Sequence, residues 1–455
     1  MQIATHLTQL LLSRFLVNIQ NLINLDRDSA SSNAVATRTL RSTFSAADDM
    51  LCGSHTVCHL GDHFTLDKLE KFMAAWTRMM NQEHIKKRWA RLMGEPAKSF
   101  SEVRWWALAE MEMQIAMKYT LMLQLLRELR DAGIAPSLVA TMMEIEQSHP
   151  LELKLQFAAM LDMRLVVSTT YDLEGDGLAI LLAYAKGEAL RALGRNLNAA
   201  GTLANVEAVL RNTTSIMTGS TIRKVFPGHG LCEGAVISQD IADSTLYPGQ
   251  ERTVYTIKYH SDGAEEDLEE EEIRPLLVVQ DRPERAAIVN SLLPGFTYWE
   301  NRITGNCYAN FNFEHTYLIW KLAQAFDPSW AATSLTQAIV QELSAIVPIG
   351  VHRLTPGLVR ELPAYLLAAT TCTGFDRGDI PAFTAGVLAW WKMNHPQFPT
   401  WALAARIVFA LLPSSAPCER VFSLVESMFG HDQLSSLADM LQGSVMLRYN
   451  DRVVG

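Results

Sequence analysis

The chain has 455 residues, with 39 lysines and arginines against 49 aspartates and glutamates, a formal net charge of −10. That balance excludes a globally basic protein that coats polyanions through its total charge. A hydrophobic fraction of 49% with 19% charged residues excludes a disordered chain and suits two or three domains with a substantial interior.

Residues 1–25 alternate apolar patches with amide side chains, a pattern read as helix followed by strand. They form no uninterrupted apolar run of the ~18 residues that a membrane span needs. They also lack the basic start and small-residue cleavage site of a secretory signal. No membrane association is therefore expected. Six scattered cysteines suit a reducing compartment better than a disulfide scaffold.

Asp28 to Asn33 is small and polar, and residues 34–47 read as a helix. Leu66 to Arg91 reads as one amphipathic helix, with Leu69, Phe72, Met73, Trp76, Met79 and Met80 at helical spacing. Trp105 to Arg130 reads as another. Helical periodicity continues through 136–147, 150–171, 176–197 and 200–217, and the methionine-rich stripes are core packing.

The composition changes near Arg223. Phe226-Pro227-Gly228-His229-Gly230 is turn-like, Glu233–Ile237 and Val254–Tyr259 read as strands, and Asp262-Gly263 signals a tight hairpin. Short strands joined by tight turns within ~55 residues suit a small closed β-barrel. From Asp262 to Glu272 the chain has eight acids and no base. Helical reading resumes at Pro283 and runs to the C-terminal segment 380–455.

Several constellations could carry chemistry. Glu419 lies in Ser414-Ser415-Ala416-Pro417-Cys418-Glu419-Arg420-Val421-Phe422-Ser423. There Ser414 or Ser415 can cap a helix, Pro417 suits its first turn, and Val421, Phe422 and Leu424 supply an apolar face. By itself Glu419 reads first as a carboxylate complementing the helix dipole. Asp28, followed by Ala30, Ser31 and Asn33, reads as an acid at a turn or cap. Cys52 and His55 invite a zinc reading, but no second pair of ligands lies nearby. The other reading is a core cysteine beside a hydrogen-bonded histidine. Arg104-Trp105 can hold a phosphate and stack a base, or Trp105 can anchor two helices. Lys86, Lys87, Arg88 and Arg91 can contact phosphates or form a solvated helix face.

The Ser-Ala-x-x-Glu-Arg-x-Phe-Ser pattern at 415–423 resembles the C-terminal signature of hAT-family DNA transposases. Trp390-Trp391-Lys392, Pro396, Pro399 and Met446-Leu447-Arg448-Tyr449-Asn450 on its flanks match as well. The resemblance extends from about Ile19 to Asn450. It implies an α/β fold: an RNase H-like core, incomplete at its N-terminus and interrupted by a large all-α insertion. The expected division is 1–100 partial core, 101–221 helical insertion, 222–278 barrel, 279–379 continued insertion and 380–455 dimerisation region. It further implies that Asp28 and Glu419 are catalytic acids holding Mg2+ or Mn2+, and that Cys52 and His55 form a family Cys-x-x-His element. By the same resemblance Arg104 and Trp105 contact transposon-end-like DNA, Val421, Phe422 and Leu424 bury a homodimer interface, and the protein is nuclear.

Residues 222–278 are similar to Tudor-like barrels, which implies an aromatic cage of Phe226, Tyr255 and Tyr259 for methylated histone tails. Residues 1–25 carry no Asp or Glu to serve as the first acid of the triad, and the family's zinc-binding BED finger is not seen. The expectation is a hAT-derived, DNA-binding homodimer without catalysis. The alternatives are an active transposase whose gene is longer, and a chromatin reader acting through the barrel.

Overall fold

The computed structural model describes residues 8, 9, 12, 22–28, 31–98, 105–175, 177–372 and 374–416. Glu419, Val421, Phe422 and Leu424 lie outside the described residues, as do Arg104 and the side chain of Trp105. The chain divides into two compact units. Residues 1–60, 168–191 and 297–455 form one, and 61–167 and 192–296 form the other.

In chain order the elements begin with β1 (Asn24–Arg27), α1 (Ser31–Thr43), β2 (Asp48–Leu51) and α2 (Gly53–Asp62). Eight helices follow: α3 (Asp67–Met80), α4 (Glu83–Met93), α5 (Trp105–Met117), α6 (Tyr119–Asp131), α7 (Pro136–Ser148), α8 (Pro150–Asp162), α9 (Arg164–Glu174) and α10 (Ile180–Arg195). After α11 (Ala204–Thr213) come β3 (Thr221–Phe226), β4 (Gly230–Asp243), β5 (Glu251–Tyr259), β6 (Glu265–Glu269) and α12 (Glu270–Ile273). The remainder is helical: α13 (Pro283–Ile303), α14 (Glu314–Ala323), α15 (Pro328–Ser334), α16 (Gln337–Glu342), α17 (Val347–Val351), α18 (Thr355–Ala369), α19 (Ile380–Asn394) and α20 (Pro399–Phe409).

In the first unit β1 and β2 pair in parallel, Asn24 opposite Asp48 and Arg27 opposite Leu51, with α1 as the connection that parallel strands require. α18 packs on α15, α16 and α20. Its Tyr365 stacks on Trp401 with ring centroids 4.4 Å apart and donates its hydroxyl to the Ala325 carbonyl. Trp391 and Trp401 likewise send their indole N–H groups to the carbonyls of Phe326 and Leu358. Burying such rings is favourable only when these polar tips find acceptors.

In the second unit α8 packs against α3, α5 and α11. Phe72, Trp76, Trp89 and Phe157 form a connected aromatic cluster there. The stretch 66–91 is two helices, because Gln82 takes an extended conformation between α3 and α4. The stretch 105–130 is also two helices. Lys118, at the break, leaves helical geometry and is tied to the Met93 carbonyl and to Glu95. At Lys118 hydrophobic spacing runs through the break, from Met111 and Ile115 to Met122, Leu125 and Leu129, whereas beyond Gln82 the buried face shifts to Ile85, Trp89 and Met93.

The expected closed Tudor-like β-barrel is instead an open four-stranded antiparallel sheet in the order β3-β4-β5-β6. The Asp262-Gly263 hairpin joins β5 to β6, with Gly263 at φ +73. Closure fails because the chain after β6 turns helical. Glu269 and Glu272 form a reciprocal capping box that starts α12. The chain returns to β3 only through an isolated Ile222–Leu277 bridge and a Val278 N–H to Thr221 carbonyl bond.

Four of the eight acids in the run are neutralised by ion pairs. Lys224 pairs with Glu266, Lys258 with Glu265, Arg252 with Glu271 and Arg274 with Glu270. Among the described residues no helix is long and apolar enough to cross a membrane.

Candidate functional site at the ends of β1 and β2

Parallel strands place their following residues side by side, and the carboxyl ends of such strands are where α/β proteins gather functional groups. Here the Arg27–Leu51 pairing puts Asp28 and Cys52 next in line on neighbouring strands. The Cys52 N–H donates to the Arg27 carbonyl at 2.7 Å. The Asp28 Oδ1 accepts from Asn33 Nδ2 at 2.7 Å, so the first turn of α1 orients the carboxylate. Arg27 turns away from it, donating to both Asp49 carboxylate oxygens at 2.7 and 3.3 Å.

Asp48 is a fully buried acid that sequence reasoning does not single out. Its carboxylate meets His315 Nε2 at 3.0 Å and accepts from the Val347 N–H at 3.1 Å. The Leu51 N–H donates to Thr316 Oγ1. β2 is thereby fastened to α14 and to the start of α17. No pattern around Asp48 announces these partners, which come from distant sequence.

Beyond β2 the chain enters α2 through Gly53, whose N–H donates to the Pro413 carbonyl at 2.8 Å. A Cβ at this position would stand 2.7 Å from that same oxygen and 2.6 Å from Trp320 Cη2, so only glycine fits. Cys52 Sγ accepts from the Ser415 N–H at 3.2 Å and lies 3.2 Å from Ser54 Oγ. Ser54 Oγ and Ser414 Oγ are 2.9 Å apart. Of the two candidate capping serines it is Ser414 whose hydroxyl accepts from the Ala416 N–H.

Burial pushes the Cys52 thiol pKa up. Hydrogen bonding and charge from His55, with hydrogen bonds from Ser415 and Ser54, outweigh burial and bring it down to about 7. Cys52 and His55 therefore act on one another one helical turn apart, and Ser414 and Ser415, at the start of the Glu419 signature, complete their surroundings. Among the described residues no group of three or more His, Cys, Asp or Glu side chains could hold a metal ion. Of the two acids expected to bind one, Asp28 is described and Glu419 is not.

The sheet of the second unit bears a separate cavity of about 610 Å³, lined by Phe226, His229, Cys232, Tyr259 and the acids Asp262, Glu265 and Glu266 among others. The Phe226 and Tyr259 rings meet edge to face at 5.0 Å. Tyr255 does not line this cavity. It sits four residues along β5 from Tyr259, a separation of about 13 Å in an extended strand. The ammonium of Lys224 lies 5.2 Å from the Phe226 ring centre and pairs with Glu266 at 2.5 Å. The Tyr259 hydroxyl donates to the same carboxylate at 2.6 Å.

Residues 376–448 match the hAT family C-terminal dimerisation region. No curated protein matches the chain. The described part of the matched region comprises α19, α20 and the Pro413–Ala416 segment that docks on Cys52 and Gly53. Trp390 and Trp391 are buried in it, while Leu388, Met393 and Leu403 stand exposed.

Proposed function

We propose that the chain is a hAT transposase-related protein that homodimerises through residues 376–448 and binds DNA. The match to the dimerisation region carries this reading. The docking of Pro413–Ser415 onto the end of β2 supports it, because the segment leading to Glu419 is held at the strand that pairs with β1, and Asp28 follows β1. Glu419 follows Ala416 by three positions, and three residues of chain reach no farther than about 11 Å. Exposed Leu388, Met393 and Leu403 on α19 and α20 are apolar surface of the kind that a second copy buries.

Light scattering on the purified full chain tests the dimer. The expected mass is twice that of one chain, falling to one chain in Phe422→Asp. A monomeric wild type at micromolar concentration removes the reading.

A second reading concerns the sheet cavity. An aromatic pair beside three carboxylates, with Lys224 already over Phe226, suits recognition of a cationic side chain such as a methylated lysine of a histone tail. Fluorescence titration with trimethyl-lysine and unmodified histone peptides tests it. The expected outcome is methyl-dependent binding that Tyr259→Ala abolishes, and equal binding of both peptides would refute it.

A further inference from the structure

We infer that one face of α4 binds the phosphodiester backbone of duplex DNA. The inference deepens the DNA-binding part of the proposed function, on which it rests, and is independent of the dimerisation region. α4 buries Ile85, Trp89 and Met93, at i, i+4 and i+8, against the second unit. His84, Lys87, Arg88 and Arg91 recur at i, i+3, i+4 and i+7 and so share another face of the helix. Lys87 and Arg91 are exposed and Arg88 is half-buried. Among the described residues these three cations make no ion pair or hydrogen bond.

Other cations of this unit are neutralised by a neighbour. Lys68, Lys118, Arg211, Arg223, Lys224 and Lys258 are each paired with a carboxylate. A chain with ten more acids than bases has carboxylates to spare, yet it leaves this stripe unneutralised.

The dimensions fit a phosphate backbone. Positions 84 to 91 span about 10 Å along the helix axis. One DNA strand presents a phosphate about every 3.4 Å of duplex axis, so about three phosphates fall within reach of the stripe. A lipid surface fits less well. Interfacial helices insert an exposed apolar face, and the apolar face of α4 is buried.

The test is fluorescence anisotropy with a labelled duplex of arbitrary sequence, about 20 base pairs long, between about 50 and 200 mM salt. The proteins are the wild-type full chain, the triple variant Lys87→Ala/Arg88→Ala/Arg91→Ala, and a control that removes exposed charges elsewhere, Lys71→Ala/Arg127→Ala. Alanine is a strong helix former and the sites are on the surface, so the fold should survive, as a thermal melt will confirm.

The slope of log affinity against log salt should fall in magnitude by about 2 to 3 in the triple variant, with at least tenfold weaker binding at the highest salt, and stay unchanged in the control. An unchanged slope in the triple variant overturns the inference while leaving DNA binding intact. A wild type that binds no duplex removes the DNA reading and the inference together. Phosphatidylserine vesicles serve as the second ligand, and stripe-dependent vesicle binding stronger than the duplex binding would overturn the inference in favour of a lipid surface.

Discussion

The backbone N–H of Ser415 donates to the sulfur of Cys52 at 3.2 Å, across 363 positions of sequence. This contact joins the end of β2 to the segment that leads into the C-terminal signature. Ser54 and Ser414 reinforce it with hydroxyls 2.9 Å apart, both fully buried. A buried polar cluster of this kind stabilises as a set, because removing one member leaves the others unsatisfied. Ser54→Ala and Ser414→Ala are each expected to cost about 1–3 kcal/mol. The double variant should cost less than the sum, with a coupling of at least about 0.5 kcal/mol. Urea unfolding of the four proteins measures the cycle, and strict additivity would mean that the two hydroxyls act independently.

Gly53 is fixed by space. Its missing Cβ leaves room for the Trp320 ring and for the carbonyl of Pro413. Gly53→Ala should push the Pro413–Ser415 segment off the strand end and destabilise the chain by about 1–3 kcal/mol, the range for overpacking a well-filled site. Proteolysis should also quicken near residue 413. A variant with an unchanged melting temperature and cleavage pattern would show that the neighbours yield freely.

The Cys52 thiol predicts a pH dependence. Its pKa falls from 9.0 in the unfolded chain to about 7 in the fold: burial raises it, and His55, Ser415 and Ser54 together lower it further than burial raises it. A depressed acid contributes stability that is fully present above the unfolded value and is lost as pH falls through the folded one. Wild type should therefore gain stability relative to Cys52→Ser between pH 7 and pH 9. The gain approaches about 1.4 kcal/mol for each pH step of one across that window. Urea midpoints of both proteins at the two pH values decide it, and parallel pH profiles would mean that the thiol titrates normally.

How far the sequence leads depends on the range of the interactions involved. Local pattern and resemblance single out Asp28, Cys52 and His55, and the structure sets Asp28 and Cys52 on adjacent strand ends. Asp48 is not legible in the same way, because its reason for being buried lies in His315 and Val347, 267 and 299 residues away. Strands of the sheet are legible from alternation and from Asp262-Gly263, but closure into a barrel is not a local property. It turns on whether 269–277 continues as strand. The Glu269-x-x-Glu272 spacing before Ile273 is the available sign of a helix start. Breaks at Gln82 and Lys118 are hidden because neither residue is proline or glycine, and at Lys118 the apolar register also continues on both sides.

Glu112 supplies a separate test inside the helical unit. It is 4% exposed on α5. Burial pushes its carboxyl up to about 8, and the nearby Glu70 carboxylate acts in the same direction. The protonated form is thus the one the fold accommodates. Between the ordinary value of 4.5 and about 8 the folded chain holds a proton that the unfolded chain has released. Stability therefore declines as pH rises across that interval, by about 1.4 kcal/mol per pH unit at most. Glu112→Gln keeps the shape and removes the titration. It should be close to wild type at pH 5 and clearly more stable at pH 8. Thermal melts at both pH values would read the difference, and a glutamine variant that is no more stable at pH 8 than at pH 5, relative to wild type, would show that Glu112 is ionised in the fold at little cost.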